Sequence, residues 1–363
     1  MFQKALGLAL VMASIAVLVG CSTSSHFLFA TLPAANQVAV YREDPTAGVL
    51  TQISGSPYTV GDGPQSLVLH PSGKFLYVAN PGQDENDISL FTIASNGTLT
   101  EVFPRTSVAP AGSQPQLLIM DPTGGYLYVE NSGSNNISVF SIDATSGALT
   151  PVSGSPFSIG LSPLNMRLAP SGKFLYVSAA SQPLGLIVGF SVNAGKLQVL
   201  SPLTSTVGIN PFGLAIDPGG KYLYAANTSS NSISIFTIEA SGALQEVSGS
   251  PINDAYNDPV ALMLDPKGQF LYVANQASNN VAVYSINSST GLPVGLTTST
   301  TTFSFITETS PSVLAADPTG KYLFVGNQGS SAGIQSFQVS SGNLNPIHTY
   351  TVGNTPSSIA ILP

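Results

Sequence analysis

From Pro64 onward the chain repeats one hydrophobic and polar phrase. A proline opens it and a short apolar run follows. Next come Asp-Pro-x-Gly or a near copy, an aromatic-Leu-Tyr-Val-Ala-Asn run, and a segment in which apolar residues alternate with Ser and Thr. The turn copies start at His70, Asp121, Ala169, Asp217, Asp265 and Asp317, each followed by proline. Proline sets φ for a turn position, an Asp side chain caps the turn, and glycine takes the left-handed position. The run after the turn is rich in residues that suit a buried pleated strand, and strict alternation marks a further strand. In the unit opened by Pro211 the pattern predicts strand A over 212–217, B over 221–227, C over 232–239 and D over 243–247.

The opening prolines are Pro64, Pro115, Pro163, Pro211, Pro259, Pro311 and Pro356, 45 to 52 residues apart. A period near fifty belongs to solenoids, propellers or arrays. Four antiparallel strands with both sheet faces apolar describe a propeller blade, because radial stacking buries both faces. The chain ends fix the count. Residues 26–30, 37–41 and 49–53 read as strands B, C and D of a blade without its A strand, and 356–362 as an A strand alone. Joined, they make a composite blade: six continuous units plus one shared unit give an all-β, seven-bladed propeller over 26–363. Closure removes the two sheet edges that invite aggregation, whereas a solenoid would leave the half-blade unpaired. Two segments break the phrase. Thr297 to Thr302 reads as a loop between blades. Gln83-Asp84-Glu85-Asn86-Asp87 is acidic but lacks the glycine and distal glutamate of an EF-hand loop, and reads as a solvated turn.

Composition adds constraints. Charged residues are 8% of the chain, apolar residues 43%, and the formal net charge is −8. That excludes intrinsic disorder and gives no basic surface for nucleic acid. Residues 1–20 read as a signal segment: Lys4 precedes an apolar stretch, Ala5 to Val19, too short for an ordinary membrane span. It ends in Leu18-Val19-Gly20-Cys21, which resembles a bacterial lipobox. The resemblance implies cleavage before Cys21, acylation of that residue, a Ser-rich tether over 21–25 and a lipid-anchored protein of the bacterial cell envelope. Cys21→Ser is therefore expected to block processing and release the protein from the membrane fraction; unchanged fractionation would remove the anchor. As the only cysteine, Cys21 allows no intramolecular disulfide.

The run Pro71-Ser72-Gly73-Lys74-Phe75-Leu76-Tyr77-Val78-Ala79-Asn80, followed by Asp87-Ile88-Ser89-Leu90-Phe91-Thr92-Ile93, resembles the lactonase-type seven-bladed β-propeller family. That family includes 6-phosphogluconolactonase-like and muconate-cyclising enzymes, with the YVTN-repeat propellers as near relatives. The resemblance covers residues 26 to 363 and implies lactone hydrolysis without metal or cofactor. The family's inner-strand Gly-Pro-Arg-His signature has no counterpart. Two residues after the opening prolines stand Ser66, Leu117, Asn165, Gly213, Ala261, Val313 and Ser358. The family's Asn-Glu pair at the end of strand B is also missing, since Asn80 precedes Pro81, Asn227 precedes Thr228 and Asn275 precedes Gln276. Fold does not dictate function, so two expectations stand. The first is a monomeric binding or scaffold module at the envelope, taking a small anionic molecule, or an envelope protein or peptide, at its loop-rich face. The alternative is a 6-phosphogluconolactonase-like hydrolase with a rearranged central pocket.

Candidate chemistry is sparse. His26, His70 and His348 fall in different blades, which gives no His-based metal site and no shared general base. Two charges interrupt the repeat. Glu130 stands where other blades have Ala79, Ala226, Ala274 and Gly326, and Arg167 where they have Val68, Ile119, Ala215, Met263 and Ala315. A lone buried charge costs several kcal/mol, on the order of 2 to 7 for an unpaired polar group and more for an ion. Each therefore calls for a partner, either the other in an inter-blade ion pair or a ligand carboxylate or phosphate. Asn80, Asn131, Asn227, Asn275 and Asn327 end strand B, with Ala179 breaking the series. They read as caps of the B-to-C loops or as amides lining a polar channel mouth. Arg105, Asp254, Asp258 and Glu308 lie in loops assigned to the same face. The absence of Trp argues against sugar stacking.

Overall fold

The computed structural model describes residues 26–362 except 83–85, 109–111, 182, 296, 299–300, 303 and 330–332. Signal segment, Cys21 and tether lie outside the described residues, as do Gln83, Asp84 and Glu85. Seven antiparallel sheets form the ring. Blade 4 runs Pro211–Ile216 (strand A), Tyr222–Asn227 (B), Ser232–Ile238 (C) and Leu244–Glu246 (D), within two residues of each expected bound. Blades 1, 2, 3, 5 and 6 repeat that order, opened by Pro64, Pro115, Pro163, Pro259 and Pro311.

The composite seventh blade forms as expected. Ile359–Leu362 pairs antiparallel with His26–Leu32, placing Phe29 opposite Ala360, and Gln37–Glu43 and Leu50–Gln52 continue the sheet outward. The connection after blade 5 departs from the expected loop: Thr297–Thr298 and Thr301–Thr302 pair as a short two-stranded ribbon. Threonine's branched Cβ favours the pleat even in a connection.

The core lies between blades. One cluster joins Tyr224, Ile233 and Ile235 of blade 4 to Leu262, Val273 and Ala282 of blade 5. Others join the composite blade to blade 6 through Phe324 and to blade 1 through Val78. The Tyr of the Leu-Tyr-Val run has a specific job. Tyr77, Tyr176 and Tyr224 are fully buried and donate from the hydroxyl to the carbonyls of Gly147, Gly242 and Gly291 in the next blade. Those glycines sit in the C-to-D turn at φ +75, +84 and +75, and Phe75, Phe174 and Tyr222 occupy the space a Cβ would need. Glycine is required there both for its left-handed backbone and for the close ring contact. Tyr128 and Tyr272 are equally buried, but their hydroxyls have no partner. Tyr224→Phe is thus expected to cost about 1 kcal/mol and Tyr128→Phe to cost nothing or to stabilise. Urea unfolding of the two variants checks this, and equal losses would show that the hydroxyl bond contributes little.

Candidate active site in the central channel

The seven A strands enclose a channel whose lining reads as stacked rings. The residue after each opening proline forms the upper ring, and this ring is amphipathic. Gln65, Gln116, Ser312 and Ser357 supply a polar arc from blades 6, 7, 1 and 2, while Leu164, Phe212 and Val260 supply an apolar arc from blades 3 to 5. The cavity they bound has a volume of about 690 Å3. Below it the next positions, including Leu67, Leu118, Leu214 and Leu314, narrow the channel to a chamber of about 290 Å3. The lower mouth is framed by the Asp-Pro turns.

Glu130 and Arg167 both reach this channel. Glu130 sits on strand B of blade 2 (Tyr126–Asn131), paired in register with Leu117. Its side chain faces the inner strand of blade 3 and joins the wall of the upper cavity. It is 2% exposed, and its Oε2 is buried without a hydrogen-bond partner among the described residues. Burial alone raises its pKa to about 7, because an apolar surround disfavours the charged form. Arg167 lies on strand A of blade 3 (Ser162–Leu168), two residues beyond Asn165 on the same strand face. It lines both the narrow chamber and the lower mouth. The blades enclose it all round while the channel leaves it half-buried, and desolvation pushes its pKa below the ordinary arginine value. Nη1 donates to the Met166 carbonyl at 3.1 Å. Among the described residues no carboxylate lies within ion-pair distance of the guanidinium. The two charges therefore do not pair with each other, and the inter-blade ion pair is excluded. Asn165 adds a third uncommitted group to the channel wall: its Oδ1 is buried and has no partner.

The asparagine series is corrected. Asn80, Asn131, Asn227, Asn275 and Asn327 are fully buried and absent from the channel wall. Asn131 Nδ2 donates to Asn136 Oδ1 and Ser138 Oγ, both at 2.8 Å; Asn227 Nδ2 donates to Ser232 and Ser234 at 3.1 and 2.9 Å. Asn80 and Asn275 likewise reach residues of strand C, so these four amides tie B to C, whereas Asn327 Nδ2 bonds the Val325 carbonyl of its own strand. Gly112 and Gly208 pass so close that a Cβ would sit 2.8 Å from Asn131 Nδ2 and 2.6 Å from Asn227 Cγ. The residues one place later, Ser132, Thr228, Gln276 and Gln328, provide the polar mouth instead. Of the charges expected in loops, Arg105 instead lies within strand D of blade 1 (Leu99–Ser107), engaged with Glu101 at 2.7 Å, and Asp254 accepts from the Tyr284 hydroxyl at 2.6 Å. Phe212, 47% exposed into the cavity, is a stacking face that a count of tryptophans could not reveal.

A family model described as lactonase, seven-bladed β-propeller, matches residues 25–162, 161–254, 213–303 and 261–361. The chain belongs to the lactonase family of seven-bladed β-propellers. Among curated members it is 36% identical over 99 residues to the 6-phosphogluconolactonase of Formosa agariphila, covering 27% of each chain. It is 33% identical over 121 residues to that of Bacillus subtilis, covering 32% of this chain and 33% of the other. These matches span about a third or less of either relative's length. The fold is shared with a putative 6-phosphogluconolactonase of Bacteroides fragilis (TM-score 0.80, 21% identity, 94% of this chain and 99% of that one). It is shared too with the periplasmic gluconolactonase of Pseudomonas aeruginosa (TM-score 0.76, 19% identity, 93% and 99%). The family relationship favours the hydrolase expectation over the scaffold one.

Proposed function

We propose that the protein hydrolyses an anionic sugar-acid lactone in the central channel. The observation that carries this is the coexistence of an unpaired Arg167 and an unpaired Glu130 in one channel. Glu130 lies on the upper cavity and Arg167 on the narrow chamber below it, and Asn165 lines both, so a carboxylate, a cation and an amide are left uncommitted along one channel. Arg167 holds the substrate's phosphate or carboxylate in the narrow chamber, where a guanidinium fork suits such an anion. The sugar ring lies against Phe212 with its hydroxyls toward Gln65 and Gln116. Glu130, with a pKa of about 7, is poised as general base at neutral pH. It takes a proton from water as the oxygen adds to the lactone carbonyl. The ring C–O bond then breaks, the ring oxygen leaves as a hydroxyl carrying that proton, and the open hydroxy acid departs. No metal or cofactor enters any step.

The test is acid release from 6-phosphogluconolactone and gluconolactone above the spontaneous rate. Saturable turnover lost in Arg167 and Glu130 variants supports the assignment. Tight binding without turnover would return the channel to the binding-module alternative. The same proposal places the enzyme on the bacterial envelope, held by the acyl chain expected on Cys21.

A further inference from the structure

At the seam where the ring closes, one buried side chain breaks the repeat in a place the channel does not explain. Glu43 ends strand C of the composite blade, opposite His26 on strand B. The equivalent positions of the six other blades, facing the residue before strand B, are Ile93, Ile142, Val192, Ile238, Ile286 and Val339. Glu43 is thus a carboxylate at an aliphatic position, and it is 1% exposed. Its Oε2 lies 3.3 Å from His26 Nδ1, while its Oε1 is buried with no hydrogen-bond partner among the described residues. Asp317, the turn aspartate of blade 6, is 2% exposed and packs against the same point. One potential ligand atom from each of His26, Glu43 and Asp317 lies within 4.8 Å of the other two.

Two buried carboxylates side by side need a cation or a shared proton between them, and no lysine or arginine among the described residues forms an ion pair with either. The Asp317 turn already satisfies much of that residue's capacity: Oδ2 accepts from Thr319 N at 3.0 Å and from the Thr319 hydroxyl, while Oδ1 accepts from Tyr322 N alone, at 2.6 Å. These bonds orient its carboxylate and leave lone pairs over. One imidazole and two carboxylates form an N/O donor set that suits a borderline divalent cation. Ligand atoms around tetrahedral zinc, at about 2.0–2.2 Å from the ion, lie roughly 3.4 Å apart. His26 and Glu43 already stand at that spacing, and Asp317, within 4.8 Å of both, needs to move by at most about 1.4 Å. We propose that His26, Glu43 and Asp317 form a structural binding site for a zinc-type divalent cation, fastening the composite blade to blade 6. The site joins strands B and C of the closing blade to a turn of blade 6, beside the closure in which His26–Leu32 pairs with Ile359–Leu362 over four residues and Thr31 exchanges backbone bonds with Ser357 and Ser358.

The experiment uses purified, chelator-treated full-length protein, with zinc chloride followed by calorimetric titration and thermal unfolding. Zinc is expected to bind one per chain and to raise Tm at saturation, since a ligand that binds only the folded state stabilises it; magnesium is expected to do neither. Glu43→Ile, which restores the residue type of the other blades, should abolish binding and the Tm rise. His26→Gln should weaken affinity by tenfold or more, and it carries the test if the isoleucine variant fails to fold. No zinc binding to the wild type, or equal binding and Tm response in both variants, overturns the proposal and leaves a proton-sharing carboxyl pair. The readouts do not involve lactone turnover, so the seam and the channel are tested separately.

Discussion

Arg167→Ala is expected to lower kcat/KM for 6-phosphogluconolactone by roughly 30-fold to several thousand-fold, the equivalent of about 2–5 kcal/mol for losing one member of a desolvated charge pair. Uncharged gluconolactone should lose far less. The guanidinium sits in the narrow chamber with one backbone acceptor and no carboxylate partner, so its charge remains available to a substrate anion. Folding stability should not fall. Blades 4 and 6 place Ala215 and Ala315 at the same position, so an alanine is tolerated there, and the change removes a desolvated cation without orphaning an anion. A fall in Tm of several degrees, with equal loss on charged and uncharged substrates, would instead make Arg167 a structural residue.

Much of this molecule was legible as a repeat, and its exceptions were legible for the same reason. The prolines and Asp-Pro-x-Gly turns specify strand boundaries locally, through φ restriction and side-chain caps, so seven blades and their closure follow from spacing. Glu130 and Arg167 were visible because small or apolar residues occupy their positions elsewhere. Whether they pair was not visible. That depends on side-chain directions across the boundary between blades 2 and 3, and no repeat encodes those. The amphipathic ring of Gln65, Gln116, Phe212 and Val260 was missed because the family signature drew attention to the position two after each proline. The wall of the mouth begins one residue earlier. Of the two readings of the asparagines, the channel-mouth one fails for a related reason: strand ends near a mouth look like lining, but on strand B that pleat position faces a neighbouring strand. Glu43 was missed because strand C of the composite blade was expected to stop at Tyr41. In the structure it runs to Glu43, the position where the comparison with Ile93 and Ile142 becomes informative.

Glu130→Gln is expected to reduce kcat by about 100- to 10,000-fold, the usual range for removing a general base, and to stabilise the fold at neutral to alkaline pH. The two effects share one cause. In the wild type, burial raises the Glu130 pKa from its ordinary 4.5 to about 7, so between those values the folded state holds a proton that the unfolded state has released. Stability is therefore fully present below about pH 4.5, declines as pH rises toward 7 and levels off above it. A shift of that size corresponds to about 3 kcal/mol. Glutamine keeps the shape and carries no charge, so the variant should lack this decline. It should gain on the wild type at pH 8 and match it near pH 4.5 in paired denaturation curves. Activity moves the other way. Wild-type kcat/KM should climb with pH through about 7 as the carboxylate ionises, and the residual rate of the variant should be flat through that region. A buried general base that must ionise near neutrality is a destabilised group, and a substrate-bound water is the donor that its free Oε2 lacks. If Glu130→Gln lost stability at every pH while retaining the wild-type rate profile, the carboxyl would be a packing element of blade 2 and the catalytic assignment would fall.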